Sequence, residues 1–128
     1  MRLLLDTCTF LWWMAEPQKL SPEARLHLTD HRNDIVLSAV SGWEIALKKR
    51  LGKLTLDRLP ATLVDEAVAR LDLTILPVSM AHGIVAGELP LHHKDPFDRL
   101  LIAQTEIEGL TLISPDSAFM AYKVKMLW

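Results

Sequence analysis

Short apolar runs alternate with stretches of helical period along the whole chain, and that alternation is the signature of an α/β sheet. Arg2 to Asp6 reads as a strand through Leu3, Leu4 and Leu5, and Phe10 to Met14 follows as a short helix carrying Trp12 and Trp13. Pro22 opens a second helix with Ser21 as its N-cap and Glu23 in its first turn, and Asn33-Asp34 stops it. Ile35 to Ser38 is the second strand, and Ser41 to Leu51 the next helix, closed by Gly52. Pro60 starts another helix, in which Leu63, Val64, Ala67, Val68 and Leu71 recur at helical spacing. Thr74 to Leu76 is a short strand ended by Pro77. Ser79 to Leu89 reads as helical although Gly83 and Gly87 weaken it. A polar loop, Pro90 to Lys94, leads into a helix from Pro96 to Ile107 that Gly109 ends. Leu110 to Ile113 is then the fourth strand, Ser117 to Ala121 a short helix, and Lys125 to Trp128 a last strand. No repeat, low-complexity segment or linker interrupts this order. The prediction is one domain over residues 1–128, a three-layer α/β/α arrangement with a central, mainly parallel sheet of four to five strands.

Composition narrows the class. A chain of 128 residues buries about two-thirds of its unfolded surface, and a charged fraction of 23% is ordinary for a globular chain. No apolar stretch reaches the ~18 residues of a membrane span, because Glu16, Lys19 and Glu23 soon interrupt the apolar start. A secretory signal fits poorly, since the apolar segment begins almost at Met1, contains Asp6 and lacks a small-residue cleavage site. The single Cys8 forms no internal disulfide, so a reducing, cytoplasmic setting is the expectation. A net charge of −2 argues against gripping nucleic acid by bulk electrostatics. The basic cluster Lys48, Lys49, Arg50 and Lys53 falls where a helix ends, and complementing the helix dipole there is its first explanation.

Candidate chemistry lies in the acids. Asp6, Glu44 and Asp116 each follow an apolar, strand-like run, and Asp98 opens a helix. In an open parallel sheet, groups just past the carboxyl ends of the strands gather in one crevice, where ligands bind. Carboxylates converging there repel one another unless a cation or a shared proton intervenes. Each acid also has a structural explanation. Ser41-Gly42-Trp43-Glu44 fits a capping box, in which Glu44 bonds back to the N-cap amide. Asp95 before Pro96 is an N-cap, which puts Asp98 in the first turn, and Asp116 after Ser114-Pro115 caps the next helix. Asp6 has the weakest structural reason, since a charge directly after three leucines is costly to bury. Caps do not require acids, for Ser, Thr or Asn serve as well. The set as a whole suits a hard divalent cation, Mg²⁺ or Mn²⁺, and with it phosphoryl chemistry.

Other chemistries find less support. His27 and His31 have helical i, i+4 spacing but no third ligand nearby, so they read as surface residues. His92 and His93 lie in the loop before Asp95, placed either to meet a substrate phosphate or to face solvent. There is no Gly-rich phosphate loop and no Ser or Cys nucleophile constellation. Trp12, Trp13 and Trp43 could stack on bases, but beside leucines at helical spacing most are expected in the core or an interface.

Four segments together resemble the PIN-domain ribonucleases, specifically the VapC-type toxins of bacterial toxin–antitoxin pairs. They are Leu3-Leu4-Leu5-Asp6-Thr7, Ser41-Gly42-Trp43-Glu44-Ile45, His93-Lys94-Asp95-Pro96-Phe97-Asp98-Arg99 with the Leu100-to-Gln104 stretch, and Leu112-Ile113-Ser114-Pro115-Asp116. The third is the most specific. The similarity covers nearly the whole chain and implies a PIN-like fold. It makes Asp6, Glu44, Asp98 and Asp116 the acidic metal-binding and catalytic cluster, with Asp95 an additional acid of lower rank. Ser114 stands where the family often has threonine. The implied reaction is Mg²⁺- or Mn²⁺-dependent hydrolysis of an RNA phosphodiester, with Asp6 and Asp98 foremost as direct ligands. The resemblance also implies a homodimer and a cognate antitoxin whose peptide blocks the acidic site, while the apolar Phe10-to-Met14 segment could cover the sheet, pair two subunits or receive that peptide.

Rival readings remain. A phosphatase using Asp6 as nucleophile wants a second acid two residues on, where Cys8 stands. A receiver-type signalling domain needs an acid after the middle strand, yet Leu76 is followed by Pro77-Val78-Ser79. In a non-catalytic binding module the acids would be caps and nothing more.

Overall fold

The computed structural model describes residues 1–128. Five parallel strands form one sheet in the order β3-β2-β1-β4-β5: β1 (Arg2–Leu5), β2 (Asp34–Ser38), β3 (Thr74–Leu76), β4 (Thr111–Ile113) and β5 (Met126–Leu127). Six helices connect them: α1 (Thr7–Ala15), α2 (Pro22–Thr29), α3 (Ala39–Arg50), α4 (Pro60–Leu71), α5 (Met80–Glu88) and α6 (Pro96–Glu108). Two 3-10 segments, Pro17–Lys19 and Ser117–Tyr122, complete the chain.

The side chains of β1 and β2 split between the faces of the sheet, because successive residues of a strand point in opposite directions. Leu3, Leu5, Ile35 and Leu37 meet Phe10, Met14, Ala24, Leu28, Ile45, Leu63 and Ala67 on one face. Leu4, Val36 and Leu112 meet Phe97, Leu101, Ile102, Phe119 and Tyr122 on the other. A strand serving two cores needs no polar alternation, which is why Leu3-Leu4-Leu5 reads as an unbroken apolar run. The result is the α/β/α sandwich that the order of elements predicts, with all five strands parallel.

Two element starts differ from the sequence reading, and both matter later. Helix α1 begins at Thr7 rather than Phe10, because Asp6 itself is the N-cap and accepts from the Thr9 amide at 2.7 Å. Helix α3 begins at Ala39 rather than Ser41, because Ser38, the last residue of β2, accepts from the Val40 amide at 3.0 Å. In both places strand passes into helix without a loop. The turn at Pro17–Lys19 was not anticipated, and β5 is shorter than the Lys125-to-Trp128 run. At the ends of α2, α4 and α6, Ser21 caps as expected, Pro60 and Pro96 occupy first-turn positions, and Gly109 ends α6.

Gly109 has φ +64°, a left-handed conformation that disfavours any side chain with a Cβ. Gly42 lies inside α3 with open space where a Cβ would stand. Gly109→Ala should therefore lower stability by about 1–2 kcal/mol, while Gly42→Ala should raise it by about 0.5–1 kcal/mol. Urea unfolding of the two variants beside the wild type checks both signs.

Candidate active site

From β1 the chain runs to β2 on one side, and β4 returns on the other, so the sheet order reverses between β1 and β4. The crevice beyond the carboxyl ends of those strands is where an open α/β sheet binds ligands. Asp6 stands there, directly after β1, and is buried. Its Oδ1 accepts from the Thr9 amide, and its Oδ2 accepts from the Ser114 hydroxyl. Ser114 comes directly after β4, and its Oγ also accepts from the Asp116 amide at 3.0 Å. The hydroxyl thus joins the two sides of the crevice. Burial pushes the Asp6 carboxyl above its ordinary pKa, the Ser114 and Thr9 bonds hold it back, and the charge of Asp116 adds to the rise. Asp116 is exposed and caps the following 3-10 helix by accepting from the Ala118 amide at 2.9 Å, as its sequence position predicts.

Glu44 corrects the capping-box expectation. With Ser38 as the cap of α3, Glu44 lies in the second turn and has no role at the helix start. Ser41 instead accepts a 2.9 Å hydrogen bond from the Thr7 hydroxyl, which ties the start of α3 to the start of α1. Glu44 is 6% exposed; Lys48 is ion-paired to its Oε2, and its Oε1 has no hydrogen-bond partner. A buried carboxylate oxygen left without a partner is costly. The capping-box explanation of Glu44 therefore fails, and its ion pair with Lys48 serves only one of its two oxygens.

Asp98 is positioned by a third device. Asp95 caps α6, its Oδ1 accepting from the amides of Phe97 at 2.9 Å and Asp98 at 3.3 Å. Burial lifts the Asp98 carboxyl to about 6, the charges of Asp95 and Glu44 add to that, and a 2.6 Å hydrogen bond with His93 Nε2 opposes it. His93 is itself fastened. Its amide donates to the Tyr122 hydroxyl at 2.7 Å, and its carbonyl accepts from Arg99 at 3.1 Å. The buried Arg99 guanidinium also donates to the carbonyls of Pro90, Ala86, Gly87 and Leu89. Arg99 and Tyr122 together hold the 90–94 loop against α5 and α6 and aim His93 at Asp98.

The acids share one electrostatic neighbourhood. Glu44, Asp95 and Asp98 all act on the Lys48 ammonium, and Asp6 and Glu44 both act on the Cys8 thiol, whose pKa burial raises first. No three His, Cys, Asp or Glu side chains close on one point tightly enough to form a metal shell by themselves. Hard divalent cations such as Mg²⁺ are commonly held by one or two carboxylates plus waters and substrate phosphates. The hard oxygen donors and the unpartnered Glu44 Oε1 fit such an ion.

His27 and His31 make no bond to any of these acids. Trp12 packs on Trp128 with ring centroids 5.9 Å apart, and both Trp12 and Trp13 pack against the core. Trp43 meets Phe97 edge-on with ring centroids 4.5 Å apart and stays 52% exposed, between the helices carrying Glu44 and Asp98. By sequence Lys48 reads as a helix-end charge and Arg99 only as part of the third motif, and neither is placed beside the acids. Lys48 had a signal, since a Glu four residues before a Lys is the favoured helical pair. Arg99 had none, because a helical arginine reads as solvated.

A family model for the PIN domain matches residues 3–125. The chain belongs to the PIN-domain family. Among curated relatives it is similar to ribonuclease VapC22 of Mycobacterium tuberculosis H37Rv, 27% identical over 124 residues, covering 94% of this chain and 92% of that one. It is also similar to ribonuclease VapC16 of the same strain, 43% identical over 60 residues, covering 47% of this chain and 43% of that protein. Among solved structures, VapBC2 from Rickettsia felis, bound to a DNA fragment from its promoter, shares the fold. The TM-score is 0.71 at 17% identity, with 99% of this chain and 98% of that chain covered. No helix is long and apolar enough to cross a membrane.

The raised Asp98 carboxyl carries a pH dependence. Between its unfolded value of 3.8 and about 6, the folded protein holds a proton that the unfolded chain has released. Stability from this group is therefore lost as pH rises through that window, and the full penalty stands above it. In metal-free buffer at pH 7, Asp98→Asn should melt at or above the wild-type temperature, and the gap should close below pH 4, as a calorimetric pH series would show.

Proposed function

We propose that this PIN-domain protein is a metal-dependent endoribonuclease, the toxin of a toxin–antitoxin pair, in which Asp6, Glu44, Asp98 and Asp116 hold the metal and carry catalysis. The observation that carries the reading is the buried Glu44 carboxylate with its free Oε1, standing with Asp6 and Asp98 at the switch point of a parallel sheet. Structural capping explains Asp95 and Asp116, and half of Asp6, but it does not explain Glu44. The ribonuclease names of the two curated relatives support RNA as substrate.

Asp6 and Asp98 are the foremost direct ligands, Glu44 binds the metal or orients water, and Asp116 acts through water. Mg²⁺ or Mn²⁺, when bound, polarises a phosphate oxygen and lowers the pKa of water. The chain's own residues do the rest. Ser114 and Thr9 fix the rotamer of Asp6, and His93 fixes that of Asp98. The Asp98 carboxyl is raised to about 6, so a cation entering the site would displace its proton and bind better as pH rises toward neutrality.

The partner reading rests on the resemblance to VapC-type toxins and on a groove next to the acids. Phe10 and Met14 face the core, so the accessible side of α1 is Leu11, Trp12 and Ala15, which with Leu54 and Leu56 line an apolar groove reaching Cys8. An antitoxin segment lying there brings an Arg or Lys to the crevice, where a guanidinium matches carboxylate geometry. The same resemblance gives a homodimer, checked by light scattering.

Purified protein should cleave single-stranded RNA in Mg²⁺ or Mn²⁺ and not in excess chelator. Asp6→Asn and Asp98→Asn should each lose roughly two orders of magnitude or more in rate while remaining folded, since metal catalysis supplies several kcal/mol. Full activity in either variant, or no metal binding by calorimetry with RNA present, would sink the mechanism.

Metal should also raise the melting temperature of the wild type by mass action. The rise should shrink in Asp6→Asn. An equal rise in both proteins would remove Asp6 from the ligand set.

A further inference from the structure

Lys48 brings an ammonium group to the mouth of the acidic crevice. It follows Glu44 by one turn of α3, and its Nζ is bonded to Glu44 Oε2. Asp95 and Asp98, at the start of α6, act on the same ammonium, and with the Glu44 bond they keep it firmly protonated. Neighbouring Lys49 points elsewhere, donating to the Arg58 carbonyl at 3.0 Å and tying down the loop after α3. The basic cluster is therefore not uniform. One lysine faces the acids, and another is structural.

The pair differs from a surface ion pair. The Lys48 side chain is 41% exposed while that of Glu44 is 8% exposed, so the ammonium lies over the carboxylate on the solvent side. Only one Glu44 oxygen is served, and the other is buried and empty-handed. An ammonium on a flexible four-carbon stem is a mobile point charge with three donors, suited to phosphate oxygens.

We propose that Lys48 is a phosphate-binding residue of this site: its ammonium shields the carboxylates until a metal enters, and then engages a non-bridging oxygen of the RNA phosphodiester. The inference rests on the ribonuclease reading for its substrate and on the Glu44–Lys48–Asp98 arrangement for its geometry. It makes two predictions of opposite sign. Removing the ammonium should tighten the metal, because a competing cation is gone, and loosen RNA, because a phosphate contact is gone.

Lys48→Met and Lys48→Arg in the full chain test it, with melting curves to establish that both fold. Calorimetry with Mn²⁺ alone should show binding tightened severalfold in Lys48→Met. Anisotropy of a labelled single-stranded RNA in Mn²⁺, read at low temperature before cleavage sets in, should show affinity reduced about tenfold, the size of one charged hydrogen bond. The slope of log affinity against log salt should become shallower by about 0.7, one phosphate contact on a single strand. Lys48→Arg should restore both RNA values. Unchanged RNA affinity and slope in Lys48→Met, or weaker Mn²⁺ binding, overturns the inference. Wild-type protein that binds RNA with the Lys48-dependent slope but never cleaves it overturns the ribonuclease reading and leaves the phosphate contact standing.

Discussion

Everything at the business end of this fold depends on one carboxyl group fixed at the end of the central strand. Asp6 follows three fully buried leucines and is itself buried. Its two oxygens are satisfied by opposite parts of the chain: the Thr9 amide, which starts α1, and the Ser114 hydroxyl, which follows β4. The first bond makes a loop between β1 and α1 unnecessary. The second pins the two strands flanking the switch point at their open ends. A neutral cap would serve the helix alone, but a carboxylate also sets the negative potential to which the other acids add.

The other acids reach that potential by different structural routes. Asp116 is carried by a turn, Asp98 by a capped helix start, and Glu44 by the second turn of a helix that grows straight out of β2. Repulsion among them is answered in three ways before any metal is considered: a hydroxyl on Asp6, an imidazole on Asp98 and an ammonium on Glu44. The site is pre-assembled at some cost in stability, as functional constellations commonly are.

Much of this was legible in the chain. The unbroken Leu3-Leu4-Leu5 and Ile35-Val36-Leu37 runs announce strands covered on both faces, and Asp95-Pro96 announces a helix start that delivers Asp98. For Glu44 it is the competing capping-box explanation that fails. Ser38 and Ser41 are equally good caps by type, and only the absence of a loop after β2 decides between them. The supporting residues were out of reach for a different cause. His93, Arg99 and Tyr122 meet through hydrogen bonds spanning up to 29 positions, which no local pattern encodes.

Arg99 has a further consequence. Its guanidinium is 8% exposed and is solvated by five backbone carbonyls, with no carboxylate of its own. Carbonyl dipoles stabilise a cation without cancelling it, so a whole positive charge is built into the wall one residue along from Asp98. Mobile ions screen buried charges far less than exposed ones. The grip of this charge on the five carbonyls therefore persists at ionic strengths where surface lysines have gone quiet, and the loop that carries His93 keeps its place in salt.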